Sequence, residues 1–156
     1  VARMVVDVEI VVDEDSVTVD DVDATIEIRG PEVTRAVSLV AANPRVREEL
    51  VRRQREWAAA RGGGVIEGRD IGSVVFPDAD LKLYLTARPE VRAARRSKEV
   101  SDLSYEAVAS DLARRDALDQ GRDASPLVEA GDALVVDTSD LGIDELVESL
   151  AGRVDR

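Results

Sequence analysis

The sequence predicts an α/β fold: a parallel sheet whose strands alternate with helices, and a small antiparallel unit near the N-terminus. Two observations carry this. Up to Arg29 the chain holds short β-branched runs separated by acidic clusters, the pattern of a hairpin. From Pro31 onward, helical periodicity alternates with short apolar runs at 65–67, 81–86 and 133–138, the pattern of strands buried in a parallel sheet.

Taken in chain order, 5–12 and 16–19 are predicted strands joined by the acidic turn 13–15, and 25–28 is a further extended piece. Pro31 opens a helix with Val33, Val37 and Val40 on one face, which Asn43-Pro44 interrupts. Pro44 then starts a second helix. It carries Val46, Leu50 and Trp57 at near-helical spacing among Arg45, Arg47, Arg52, Arg53 and Arg55, and Gly62-Gly63-Gly64 stops it. Val65-Ile66-Glu67 reads as a strand feeding the loop 68–72, and 81–86 as a second strand. Helices are predicted over 89–99 and 105–118, a strand over 133–138, and a closing helix over 143–154. The chain shows no internal repeat and no low-complexity linker.

Its 156 residues suit one domain of ordinary size, and 33 acidic against 21 basic residues give a net charge of -12. Such a field repels polyanions, so neither nucleic acid nor an anionic membrane is an expected partner. No apolar run is long enough to span a bilayer, and the first seven residues do not read as a secretory signal, so a cytoplasmic protein is expected. The absence of Cys and His excludes disulfides, thiolate nucleophiles, Cys/His zinc sites, imidazole bases and Ser-His triads. Carboxylates, hydroxyls and arginines must do any chemistry.

The basic residues are unusual in that only Lys82 and Lys98 are not Arg. That reads either as compositional bias or as use of a planar fork that matches a phosphate with two parallel hydrogen bonds. Four places concentrate the arginines. Arg69 and Asp70, between Gly68 and Gly72, follow a predicted strand, and ligands of open α/β sheets bind beyond the carboxyl ends of such strands. A surface loop in which the two pair with each other reads equally well. Arg115, Asp119 and Arg122 fall at i, i+4 and i+7 of a predicted helix, as a ligand-facing set or as a solvated salt-bridge row. Arg47 lies one turn into the helix from Pro44, and Arg92, Arg95 and Arg96 share another helical region, where they could also be ordinary surface. Together in an acidic chain they favour a phosphate ligand. Trp57 and Phe76 read as packing residues rather than stacking platforms. Glu67, Asp70, Asp119 and Asp137 could approach magnesium, but no metal site is assigned to this chain.

The run Val65-Ile66-Glu67-Gly68-Arg69-Asp70-Ile71-Gly72-Ser73-Val74-Val75-Phe76-Pro77-Asp78-Ala79-Asp80-Leu81-Lys82 closely resembles bacterial cytidylate kinase, the enzyme that phosphorylates CMP and dCMP. Ile28-Arg29, Pro31-Glu32-Val33, Val46-Arg47-Glu48 and Arg53-Gln54-Arg55 resemble that family's substrate-binding insertion. Arg115-Asp116 through Arg122, Ser125-Pro126-Leu127 and Asp132-Ala133 through Thr138 match its C-terminal part in order. The resemblance implies a P-loop nucleoside-monophosphate-kinase-like three-layer parallel sheet, with a CMP-binding insertion over 1–60 and the remaining core over 61–156. A lid-like helix would occupy 89–104.

Position by position, it implies that Ser38, Arg47 and Asp70 read cytosine, that Arg115 and Asp119 contact the ribose, and that Arg69 and Arg122 hold the CMP phosphate. Arg92, Arg95 and Arg96 would approach the transferred phosphoryl group, with ATP and Mg2+ as donor and cofactor. The family's glycine-rich phosphate loop has no counterpart here, since no Gly-Lys pair occurs, and the region that would hold it is expected before Val1. The chain is therefore expected to lack roughly the family's first third and to carry the acceptor half, its parent a monomeric kinase acting on CMP, dCMP and ATP. A CMP-binding module without transfer, and a domain that self-associates without nucleotide, are the alternatives.

Overall fold

In the computed structural model, which describes residues 4–13, 15–99, 103–121 and 126–154, the β-branched runs form a three-stranded antiparallel sheet. Strand β1 (Ile10–Val12) pairs with β2 (Val17–Val19) in the register Ile10 to Val19, and β2 pairs with β3 (Val22–Asp23). The β2–β3 connection is two residues, Asp20 and Asp21, at φ of 48° and 63°. Positive φ at both central positions is the type I′ geometry that matches strand twist, and Asp tolerates it.

Two expectations fail here for physical reasons. Residues 4–7 form a helical turn, α1 (Met4–Asp7), where a strand over 5–12 is predicted. The guanidinium of Arg53 donates to the carbonyls of Val5 and Val8, each at 2.8 Å, satisfying acceptors that a strand partner would otherwise take. Residues 25–28 are not extended either. Asp23 Oδ1 accepts from Thr25 N at 2.9 Å, closing an Asx turn, and a 3₁₀ turn follows at Glu27–Arg29.

Helix α2 (Pro31–Ala41) runs as predicted, but Val33, Val37 and Val40 are exposed and only Ser38 is buried. Helix α3 (Pro44–Arg61) starts where Asn43 Oδ1 accepts from the amides of Arg45 and Val46, at 3.1 and 3.3 Å, with Pro44 in the first turn. It ends at Gly62, whose φ of 72° is the left-handed cap that glycine adopts without strain. Val46 is its buried anchor, while Trp57 is half exposed beneath the Arg61 guanidinium, 4.3 Å from the ring centroid. These elements lie in one compact unit, Val1–Ile66 with Arg122–Pro126; a second unit comprises Glu67–Gly121 with Leu127–Arg156.

Glu49 on α3 bridges Arg52 and Arg53, and these hydrogen bonds hold its carboxyl down at about 2, against an ordinary 4.5. A depressed folded-state pKa stabilises above the unfolded value and is lost as pH falls toward the folded one. The melting temperature is therefore expected to fall between pH 4.5 and about 2, and Glu49→Gln is expected to flatten that part of the profile in a circular-dichroism series. The same slope in both proteins would remove Glu49 from the account.

In the second unit, β4 (Leu83–Thr86) and β5 (Leu134–Asp137) pair in parallel, Leu83 with Leu134. The strand expected at 65–67 does not form, and Val65 stands 95% exposed. β propensity is realised only where a neighbouring strand takes the backbone groups. Of the segment 89–104, expected as a lid-like helix, Pro89–Glu99 is helical (α4), 100–102 lie outside the described residues, and 103–104 are not helical. Helix α4 packs on α5 (Tyr105–Gln120), which Ser104 caps through Ala107 N at 3.3 Å, and Ala93 and Val108 are buried there. Helix α6 (Ile143–Val154) closes the chain. No described helix is long and apolar enough to cross a membrane.

Lys82, just before β4, is buried; it donates to the Pro77 carbonyl and to both Asp132 oxygens, at 2.9 and 2.7 Å. This brace ties the segment after the 68–72 loop to the turn that leads into β5.

Candidate active site

Arg69 and Asp70 are set by local backbone geometry. At Gly68 a Cβ would lie 2.8 Å from Ile71 Cγ1, so any side chain there would force the Ile71 side chain to move. After Asp70 the chain makes one π-helical turn, Ile71–Val75, with Val75 N bonding the Asp70 carbonyl at 3.2 Å and Phe76 N the Ile71 carbonyl at 2.7 Å. Such wide turns are rare and cluster at functional sites. The Asp70 side chain is buried, and that of Arg69 reaches across to α5.

There Arg69 Nε lies 3.1 Å from Asp119 Oδ2, and Arg115 Nε, one turn earlier on α5, lies 3.9 Å from the same oxygen. Asp119 is 2% exposed, so two guanidinium groups share one buried carboxylate. Asp116 adds a second carboxylate. Its Oδ2 accepts from Arg92 Nη2 of α4, and its Oδ1 lies 3.8 Å from Arg69 Nη2. Burial, and then the like charge of Arg69, pull the Arg115 guanidinium below its ordinary pKa, although arginine stays cationic at any working pH. Arg115 Nε has no hydrogen-bond partner among the described residues. The cluster thus presents Arg69, Arg92 and Arg115 against Asp116 and Asp119, an excess of positive charge with a donor left over. Guanidinium forks of this kind match an anion that accepts two parallel hydrogen bonds.

Other expected site residues are placed differently. Arg95 Nη1 donates to Thr138 Oγ1 at 2.9 Å and its Nη2 to the Thr138 carbonyl at 2.6 Å, anchoring α4 to the end of β5. Arg96 pairs with Glu99 at 2.8 Å, yet its charge still bears on Arg115. Ser38, buried on α2, and Arg47, half-buried on α3, belong to the first unit. Arg122 lies outside the described residues. Among the described residues no group of three or more carboxylates is placed to hold a metal. Asp116, although part of the Arg115-Asp116 run that carries the family resemblance, has no expected site role. The signal available for it was its position three residues before Asp119, on the same helical face.

Fold and site together define an α/β protein with a parallel β4–β5 pair and an arginine-rich cluster built from a loop and two helices. Comparison with known proteins narrows the class. The family model for cytidylate kinase matches residues 1–156, and the chain belongs to the cytidylate kinase family. It is 50% identical over 141 residues to a cytidylate kinase of Streptomyces griseus, covering 90% of this chain and 61% of that protein. It is 51% identical over 140 residues to one of Rhodococcus opacus, covering 87% and 61%. With one of Desulfitobacterium hafniense it shares 50% over 135 residues, covering 84% and 58%. The chain spans about three fifths of the length of these relatives.

Proposed function

We propose that this chain carries the acceptor half of a kinase that transfers the γ-phosphoryl group of ATP to CMP or dCMP, giving CDP or dCDP. The observation that carries the reading is the convergence of Arg69, Arg92 and Arg115 on Asp116 and Asp119, within a chain of the cytidylate kinase family.

In this reading Arg69 and Arg122 hold the CMP phosphate, and Arg115 and Asp119 take the ribose. Ser38, Arg47 and Asp70 read the cytosine. Arg92 and Arg96 face the transferred phosphoryl group, and Arg95 would join them only by leaving Thr138. The nucleophile is a phosphate oxygen of CMP, whose second pKa is about 6, so at neutral pH it needs no general base. That suits a chain without His or Cys. Aligning two anions and stabilising charge between them is work for fixed guanidinium groups. Magnesium, where bound with ATP, supplies charge neutralisation on the donor phosphates. The described residues offer no metal cluster and the sequence no Gly-Lys pair, so beyond Arg92 and Arg96 at the transferred phosphoryl group no contact to ATP or magnesium is assigned to this chain.

The test is titration of the chain with CMP, then with ATP and magnesium, followed by an ADP-release assay on the same sample. CMP binding is the expected result, and a chain with no CMP affinity contradicts the reading. CMP binding without ADP release is the behaviour of an acceptor half and does not separate it from a CMP-binding module, whereas ADP release would show that residues of this chain also hold the donor. A further reading, self-association without nucleotide, is favoured by the exposure of Leu85 and Val135 on the sheet. Sedimentation over a concentration series would show it as assembly indifferent to CMP.

A further inference from the structure

We propose that Asp116 is a positioning residue that aims Arg92 at the transferred phosphoryl group, an inference that rests on the acceptor-site reading above. One carboxylate here joins three elements: it sits on α5, binds Arg92 of α4 through Oδ2, and faces Arg69 of the 68–72 loop through Oδ1. Its share in balancing Arg69 is small. Arg69 Nε is 3.1 Å from Asp119 Oδ2, whereas Arg69 Nη2 is 3.8 Å from Asp116. What Asp116 does alone is hold Arg92, whose guanidinium has no other partner among the described residues. A freed arginine of that length populates many rotamers, and ordering it would then oppose ligand binding. Asp116 Oδ1 is moreover buried without a hydrogen bond among the described residues, an arrangement that structure alone does not favour.

Charge and positioning predict opposite signs. A carboxylate beside an anion site repels the anion, so on Coulombic grounds alone its removal tightens binding, most of all for the more highly charged ligand. If Asp116 aims Arg92, its removal loosens the nucleotide that carries the transferred phosphoryl group. CDP carries that group and CMP does not, so the ratio of their affinities isolates it.

The experiment is calorimetric titration of CDP and CMP into the wild-type chain, Asp116→Asn, Arg92→Ala and the double variant, with melting temperatures recorded alongside. Asp116→Asn is expected to weaken CDP roughly tenfold while CMP changes by less than about threefold, and the double variant is expected to bind CDP no more weakly than Arg92→Ala alone. Tighter or unchanged CDP binding by Asp116→Asn would overturn the inference, as would equal loss for both nucleotides or additive losses in the double variant. Should Asp116→Asn fail to fold, Asp116→Glu keeps the charge and carries the same comparison. Selective loss of CDP affinity supports the role there, and parallel loss overturns it. A wild-type chain that binds neither nucleotide overturns the acceptor-site reading and this role with it, whereas normal wild-type binding with an indifferent Asp116→Asn overturns this role alone.

Discussion

Replacing Arg69 with Ala is expected to weaken CMP binding by about 1.5–3 kcal/mol, the range for a lost charge-assisted hydrogen bond. Every 1.4 kcal/mol is about a factor of ten, so the dissociation constant should rise at least roughly tenfold. Arg69 is the residue through which the 68–72 loop enters the cluster, and its fork reaches both carboxylates of α5. Arg69→Lys keeps the charge but not the fork, and should fall between wild type and Arg69→Ala. Calorimetry on the three proteins checks this, and equal CMP affinity in all of them would remove Arg69 from the site.

The second large effect is expected at Asp119, as a loss of stability. Its carboxylate is buried and stands between Arg69 and Arg115, whose charges already act against each other. In Asp119→Ala the two guanidinium groups lose the anion that offsets their repulsion and desolvation. The expected cost is about 1–3 kcal/mol, read as a lower urea midpoint, with CMP binding weakened as well. An unchanged midpoint with intact CMP affinity would mean that the arginines are held by something else.

What the sequence made legible is what depends on near neighbours. Helix α3 begins and ends where Asn43-Pro44 and Gly62 require, and the Arg115–Asp119 pair follows from helical spacing. What it concealed depends on residues far along the chain. The turn at Met4–Asp7 is held by Arg53, 45 or more residues away, so a β-branched run reads as a strand when seen by itself. Val65-Ile66-Glu67 has strand propensity but no paired neighbour among the described residues. Within the site, three arginines on α4 look equivalent in sequence. Packing separates them: Arg92 goes to Asp116, 24 residues on, and Arg95 to Thr138, 43 residues on. The pairing of Asp116 was hidden for the same reason, since its partner lies on another helix.

The central proposal is that Arg69, with Arg122, holds the phosphate of a cytidine nucleotide whose ribose lies against Arg115 and Asp119. Titrating the wild-type chain in parallel with CMP and with cytidine tests it most directly, because the two ligands differ only in the group the arginines are meant to hold. The account predicts saturable CMP binding, and cytidine binding weaker by at least roughly tenfold, the loss of one or more charge-assisted hydrogen bonds. Equal affinity for the two, or no affinity for CMP, would contradict it.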